Sequence, residues 1–314
     1  MANIWITGAH GFIGRHLARG LASQGHTVAG IGYGAWPQAE AMQWGVASWI
    51  NGEISASNLG QMRLGAGLPD RIFHLAGGSS VGAAFASPQE DFTRTVVSTS
   101  QLLEWLRQHA PTAQIAAISS AAVYGAGHKT PIDETTPLAP VSPYGTHKLM
   151  MEDLCRSYAA HFGMKVILPR LFSVYGRHLK KQLLWDLCTK LSAGNKVELG
   201  GTGNELRDWT DIRDVVRALD QAVCLASHLA PALNLATGQA ASVREVAALV
   251  VQNWADLDAP VHVQFSGQCR PGDPFSLVAK IDRMQSQGMK CVIPVAQGIA
   301  EYVDWFRTEA RVSV

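Results

Sequence analysis

The chain has 314 residues, 47% of them hydrophobic and 16% charged, with a formal net charge of +1. That length and apolar content suit a large buried core in one large or two interlocked domains and exclude a disordered chain. Near-neutral charge without a run of Lys or Arg argues against nucleic acid or an anionic membrane surface as partner, and no apolar run reaches the ~18 residues of a spanning helix.

The chain opens on a strand pattern, Asn3-Ile4-Trp5-Ile6, followed by Thr7-Gly8-Ala9-His10-Gly11-Phe12-Ile13-Gly14. Apolar Ile13, Leu17, Ala18, Leu21 and Ala22 then recur at helical spacing, and Gly25 stops the helix. Glycines 8, 11 and 14 stand between this strand and this helix. There they let the backbone turn tightly, approach a pyrophosphate and pack helix on strand, while the helix N-terminus offers amide donors to the phosphates. The loop from Gly8 through Gly11, Phe12, Ile13 and Gly14 to Arg15 is therefore a candidate dinucleotide site.

Strand-like runs follow at 27–31, 71–76, 114–119 and 165–171, alternating with helical stretches near 88–109 and 144–162. The alternation predicts an α/β fold with a parallel sheet and right-handed crossovers. Ser142-Pro143 is a helix start, with serine as N-cap and proline in the first turn. It places Tyr144 in that turn and Lys148 on the same face at i+4. A nearby cation favours phenolate and lowers the ordinary phenol pKa of about 10. Hydride chemistry on an alcohol needs such a group, because a proton leaves oxygen as the hydride leaves carbon. The serine pair Ser119-Ser120 lies upstream.

Beyond about residue 170 the pattern loosens. Gly200-Gly201-Thr202-Gly203 and Pro271-Gly272-Asp273-Pro274 read as loops, and Ser242-Val243-Arg244-Glu245 as a capping box. No internal repeat or low-complexity linker separates two halves. Cysteines 155, 188, 224, 269 and 291 show no zinc spacing and read as buried thiols in a reducing cytoplasm. The eleven histidines show no ligand spacing, so no metal is expected. A glycine loop starting at residue 8 leaves no room for a signal peptide.

The strand–TGxxGxxG–helix unit, the serine strand end and YxxxK together resemble the extended short-chain dehydrogenase/reductases, the nucleotide-sugar epimerase, dehydratase and reductase group. Further segments follow in that family's order: His74-Leu75-Ala76-Gly77, Ile118 to Gly125, Arg170-Leu171-Phe172-Ser173-Val174-Tyr175-Gly176, Arg207-Asp208 and Arg270-Pro271-Gly272-Asp273. The resemblance covers essentially the whole chain. It implies a Rossmann-type doubly wound parallel sheet with a smaller C-terminal α/β substrate domain. The dinucleotide domain is expected over 1–170 with a returning segment near 208–236, and the substrate domain over 171–207 and 237–314.

By position, the resemblance makes Tyr144 the acid/base and Lys148 the group that binds the nicotinamide ribose and tunes Tyr144. Ser120 rather than Ser119 hydrogen-bonds the reacting sugar oxygen. Ala76 and Gly77 flank the cofactor. Arg207 and Arg270 neutralise a substrate diphosphate, since guanidinium forks suit phosphate oxygens; Ser79, Ser173, Arg177 and Gln182 complete the substrate set. Trp185 and Trp209 lie near the proposed substrate loops. A homodimer through the helices near 88–109 and 144–162 is implied as well.

The chain also departs from the family pattern. Dehydratases carry an Asp-Glu pair directly after the catalytic Ser/Thr, where this chain has Ala121 and Ala122; alanine supplies neither acid nor base, which excludes 4,6-dehydration. The second strand normally ends in an acid that binds the NAD ribose. Gly32 stands there, and Arg15 is placed to pair with a 2′-phosphate, which tilts the choice between NAD and NADP toward NADP. Ser173 and Val97 stand where asparagines are common, and Ser79 replaces a lysine that some 4-epimerases use to retain cofactor. His147, inside YxxxK, reads as facing away from Tyr144.

The expected activity is hydride transfer at C4 of a nucleoside-diphosphate sugar. A 4-epimerase comes first, and an NADPH-dependent 4-keto-6-deoxy-sugar reductase is the alternative. A non-catalytic dinucleotide sensor is the remote one, disfavoured by retention of Ser120, Tyr144 and Lys148 together.

Overall fold

The computed structural model describes residues 1–254, 260–268, 272 and 274–310. The β-branched and apolar runs form strands β1 (Asn3–Thr7), β2 (Thr27–Gly32), β3 (Ser48–Asn51), β4 (Arg71–His74), β5 (Gln114–Ala117), β6 (Ser119–Ser120) and β7 (Lys165–Leu171). They continue as β8 (Ser173–Tyr175), β9 (Lys196–Leu199), β10 (Leu206–Asp211), β11 (Ala232–Leu235), β12 (Ala240–Ser242), β13 (His262–Phe265) and β14 (Ser276–Leu277). Two units share them. The first comprises Met1–Gly125, Glu134–Leu171 and Val216–Leu235; the second comprises Ala126–Asp133, Phe172–Val215 and the described residues from Ala236 onward.

In the first unit the sheet runs β3-β2-β1-β4-β5-β7-β11, with β6 also beside β7, and its pairs are parallel. Strand order reverses direction between β1 and β4, so a crevice opens at their carboxyl ends, where such sheets bind ligands. Thr7 pairs with Ile31 on one side and His74 on the other, which brings the ends of β1, β2 and β4 level. One apolar layer joins Trp5, Ile31, Ile72, Ile115, Val166 and Leu168 of the sheet to Leu102, Leu106, Met151 and Cys155 of the helices. Burial of this kind stabilises by roughly 25 cal/mol per Å² of apolar surface.

Two sequence expectations are modified here. The run over 114–119 is two strands: Ile118 N still donates to His74 O at 3.0 Å, while its carbonyl accepts from Lys148 Nζ at 2.9 Å. The helix near 88–109 is continuous but not uniform: Pro88–Phe92 and Ser98–His109 flank a π segment, Thr93–Val97. Such widened turns recur at functional sites.

In the second unit β12-β10-β14 form a mixed sheet with β8 on β10, and β9 pairs β13. The segment expected to return near 208 joins the first unit from Val216, since β10 belongs to the second unit's sheet. The Ser242–Glu245 capping box forms with both bonds present. Asp208 is fully buried and accepts from Thr237 N and Oγ1, Gly238 N and Ala279 N at 2.8, 2.6, 2.8 and 3.3 Å. Cys155 and Cys188 are buried, but Cys224 is exposed, against the expectation of buried thiols; Cys269 lies outside the described residues. Among the described residues no helix is long and apolar enough to cross a membrane, and no group of three or more His, Cys, Asp or Glu is arranged to hold a metal.

Candidate active site

At the crevice, the glycine spacing acts through space as well as torsion. Gly8 has φ +71° and donates to Ile31 O at 2.7 Å. A Cβ on Gly14 would stand 2.3 Å from Gly8 O, so only glycine lets the helix Phe12–Ser23 begin this close to β1. Gly11 donates to Gly8 O at 3.0 Å and is the N-cap of that helix, with no side-chain cap bond. The helix N-terminus therefore presents amides that no capping side chain occupies, the arrangement that accepts a phosphate. Phe12 and Ile13, half-buried, form its first positions. The cradle fits a dinucleotide pyrophosphate.

Beside it, the end of β2 is built from aromatics. A Cβ on Gly32 would meet Trp49 Cη2 and Gly8 Cα, both at 3.3 Å, so the Trp49 ring lies against the space of an acidic side chain. Gly34, with φ +124°, leaves room for the His10 ring, whose Nδ1 would stand 2.3 Å from a Cβ there. Arg15 donates Nη2 and Nε to His10 O at 2.8 and 3.3 Å, and its guanidinium lies 5.7 Å from the Trp36 ring and 5.2 Å from the Trp44 ring. Burial lowers the Arg15 pKa, and Glu40 opposes the shift.

On the other side of the crevice, Ser142 caps the helix Pro143–Phe162 by accepting from Gly145 N at 3.2 Å, with proline in the first turn. That turn sets Tyr144 against Ser120, and the two hydroxyls are hydrogen-bonded. Ser120 also accepts from Ala122 N at 3.2 Å, which holds its side chain at the start of the turn Ala121–Tyr124. Ser119 is buried beside Glu152 instead, as strand alternation requires of neighbours. The Tyr144 phenol is raised above its ordinary value, chiefly by burial; the Ser120 hydrogen bond acts downward and Asp91 adds to the rise. The Lys148 ammonium donates to Ile118 O and is brought down to about 8 by burial, with Asp91 the largest opposing influence.

Behind Ser119, Arg170 and Glu152 form a buried fork, Nε–Oε1 2.9 Å and Nη2–Oε2 2.7 Å. Arg170 Nη1 donates to the Tyr124 hydroxyl at 2.9 Å, which donates to Asn234 Oδ1 at 2.7 Å. The fork ties the long helix to β7 and holds the backbone that carries Ser120.

Three polar groups were missed by sequence reasoning. Asp91, Thr95 and Thr99 are buried along one helical stretch, and their i, i+4, i+8 spacing was the available signal. Thr95 Oγ1 accepts from Gly78 N at 2.8 Å, so Thr95, not half-buried Val97, is the polar contact from this helix to the Gly77-Gly78 loop. Asp91 bonds His147 Nδ1 at 2.5 Å. His147 is thus tied to the neighbouring helix.

His74 completes the scaffold. Thr99 donates its only hydroxyl proton to Thr95 O at 2.5 Å, so at 2.9 Å it must accept from His74 Nε2. His74 Nδ1 then accepts from Thr7 Oγ1 at 2.7 Å, and Thr7 accepts from Ala76 N at 3.1 Å. Burial followed by the charge of Lys148 brings the His74 pKa down to about 3, so the imidazole is neutral, with Nε2 as its donor and Nδ1 as its acceptor. Gly77, with φ +152°, would place a Cβ 3.2 Å from Lys148 Nζ and 3.3 Å from Thr95 Oγ1. Ser79 is exposed two residues further on.

The other expected substrate residues belong to the second unit. Ser173 is half-buried on β8, opposite Trp209 of β10. Arg177 and Gln182 are exposed, and Gln182 takes φ +65° at the start of the helix Gln182–Ala193. Arg207 Nη1 donates to Leu206 O and Phe275 O at 2.9 and 3.2 Å, while adjacent Asp208 turns inward. Trp185 packs on Trp305 and Phe306, and Trp209 Nε1 donates to Ala241 O, so both act in packing. Arg270 lies outside the described residues.

A model of the NAD dependent epimerase/dehydratase family matches residues 4–234. A UDP-glucose 4-epimerase of Azospirillum brasilense is 30% identical over 90% of this chain and 85% of its own length. A putative UDP-glucose 4-epimerase of Methanocaldococcus jannaschii is 25% identical over 98% and 99%. Among solved structures, MoeE5 in complex with UDP-glucuronic acid and NAD superposes with a TM-score of 0.86 at 29% identity, covering 97% of this chain and 99% of MoeE5.

Proposed function

Because the chain belongs to the NAD-dependent epimerase/dehydratase family, we propose that it is a UDP-sugar 4-epimerase. The observation that carries the reading is the hydrogen-bonded Ser120–Tyr144 pair with Lys148 buried one turn along the same helix. The chemistry a nicotinamide dinucleotide supplies when bound is reversible acceptance of the C4 hydride. Gly8, Gly11 and Gly14 would hold its pyrophosphate, with Phe12, Ile13, Arg15, Ala76 and Gly77 along its length.

In this reading Tyr144 works as the phenolate, the form that the Ser120 hydrogen bond favours against burial: it takes the proton from the C4 hydroxyl and returns it to the inverted alcohol. Ser120, fixed by Ala122 N, donates to the same oxygen. Lys148 holds positive charge below a pH of about 8 and reaches the nicotinamide ribose. Ser79, Ser173, Arg177, Gln182, Arg207 and Arg270 are assigned to the nucleotide sugar, the arginines to its diphosphate. The proposal leaves out 4,6-dehydration, because Ala121 and Ala122 offer no proton-transferring group beside Ser120. A homodimer through the helical stretches near 88–109 and 144–162, a cytoplasmic location and a place in polysaccharide biosynthesis go with it.

NAD is the cofactor in the MoeE5 complex. A second reading, NADP and a 4-keto-sugar reductase, is favoured by Gly32, where no carboxylate repels a 2′-phosphate, and by the cationic Arg15 close by. One experiment separates them: denature the purified protein, identify the released nucleotide, and follow UDP-glucose, UDP-N-acetylglucosamine and UDP-glucuronic acid by NMR. Stoichiometric NAD with a C4-inverted product supports the epimerase. An empty protein that binds NADPH and inverts none of the three sugars overturns it in favour of the reductase.

A further inference from the structure

The pair Asp91–His147 sits beside the Tyr–Lys pair without belonging to it. Asp91 is a carboxylate 5% exposed, on the short helix Pro88–Phe92. His147 Nδ1 donates to its Oδ2 at 2.5 Å, and the Phe92 ring stands edge-on to the imidazole. The other carboxylate oxygen fills the space of a missing side chain: a Cβ on Gly78 would fall 1.7 Å from Oδ1. The neighbouring glycine does the same for Lys148, whose Nζ would be 3.2 Å from a Cβ on Gly77. Two consecutive glycines therefore admit a carboxylate and an ammonium to the underside of one loop, within a residue of each other.

A buried carboxylate so placed acts on its neighbours by charge. It favours protonated Lys148 and disfavours the Tyr144 phenolate. The other groups facing this cluster are few. From the long helix come His147, Glu152 and Cys155, the last two acting on Lys148. From β4 comes His74, held neutral. On the π-segment side Arg94 pairs outward with Glu90, both more than half exposed.

We propose that Asp91, clamped by His147 and admitted by Gly78, is a positioning residue of the reaction, the counter-charge that sets the protonation of Lys148 and Tyr144 together. The inference rests on the proton-transfer role proposed for Tyr144. It adds a determinant, Asp91, on a different helix and outside both the glycine and YxxxK motifs.

The sign is the same for both groups. Removing the negative charge makes Lys148 easier to deprotonate and Tyr144 easier to ionise, so both titrations move to lower pH, each by about half a unit or more for a charge this close. The test compares Asp91→Asn, His147→Gln and the unaltered chain in two measurements. One is the pH profile of turnover. The other is the ultraviolet phenolate titration of Tyr144, taken as the difference from the matching Tyr144→Phe protein, which needs no substrate. Asp91→Asn is expected to displace both limbs of the profile, and the phenolate titration, toward acid. His147→Gln keeps a donor on the carboxylate and leaves its charge in place, so its limbs do not move to acid.

A lower rate at every pH with unmoved limbs and an unmoved phenolate titration overturns the proposal and leaves Asp91 a packing residue. If Asp91→Asn does not fold, Gly78→Ala displaces the carboxylate without removing it and moves the same limbs in the same direction; unmoved limbs overturn the proposal there too. Absence of turnover on every UDP-sugar sinks the epimerase reading alone, because the phenolate titration still reports on Asp91.

Discussion

Lys148 donates its ammonium proton to the carbonyl of Ile118, 2.9 Å away, across the gap between β5 and β6. The helical i, i+4 relation alone suggested a lysine that depresses the tyrosine directly. The partner it finds is a backbone carbonyl, and the hydrogen bond on the Tyr144 hydroxyl comes from Ser120. Tyr144→Phe removes the proton carrier while leaving the glycine cradle untouched. Turnover is expected to fall by about 10²- to 10⁴-fold, the usual worth of a positioned acid/base, with dinucleotide binding retained. Rates and cofactor fluorescence measured on the same preparation check this; unchanged turnover removes the mechanism.

The neutral His74 makes the fold acid-sensitive. Its pKa in the folded chain is about 3, below the ordinary 6.5. Above pH 6.5 the group is neutral in both states and contributes nothing to the pH dependence. As pH falls from there toward 3, the unfolded chain binds a proton that the folded chain refuses, and stability drops by up to about 4 kcal/mol. Denaturant titrations at a series of pH values are expected to show a shallower acid slope for His74→Gln. Parallel slopes count against a neutral, doubly bonded imidazole.

Glu152→Gln leaves the Arg170 guanidinium buried, 1% exposed, without its counter-ion. Breaking one half of a buried pair costs about 3–5 kcal/mol. The chemical midpoint is expected to fall, with the unfolding slope unchanged. A loss below about 1 kcal/mol would count against Glu152 as the counter-ion that holds Arg170 in the core.

Gly14→Ala places a methyl group 2.3 Å from Gly8 O. Backbone cannot yield as a side-chain tip does, so the helix Phe12–Ser23 must shift from β1 at a cost of about 1–3 kcal/mol. Dinucleotide affinity is expected to fall further than stability, since the shift moves the amides that face the pyrophosphate. Titration calorimetry beside thermal unfolding separates the two, and unaltered affinity refutes the cradle.

What could be read from the chain itself was local. The glycine loop follows from torsions and the Ser142 cap from the residues beside it. The shared face of Tyr144 and Lys148 follows from helical repeat, and the parallel sheet from the alternation of apolar runs. The buried stripe Asp91, Thr95, Thr99 was legible too, in the same way, and went unread. Ser119 and Ser120 could be told apart only by position in a motif until strand alternation sent one toward Glu152 and the other toward Tyr144.

The remaining decisions were made by pairs far apart in sequence: His74 with Thr7 and Thr99, Lys148 with Ile118, Asp91 with His147. Each depends on which strand ends lie level and which helix crosses them. Sheet order and register set that; no local spacing does. The sequence by itself determined that this protein carries a dinucleotide cradle and a tyrosine–lysine helix. Only the tertiary structure decided which charges stand around that tyrosine, because burial and through-space neighbours, not chain neighbours, govern where its proton goes.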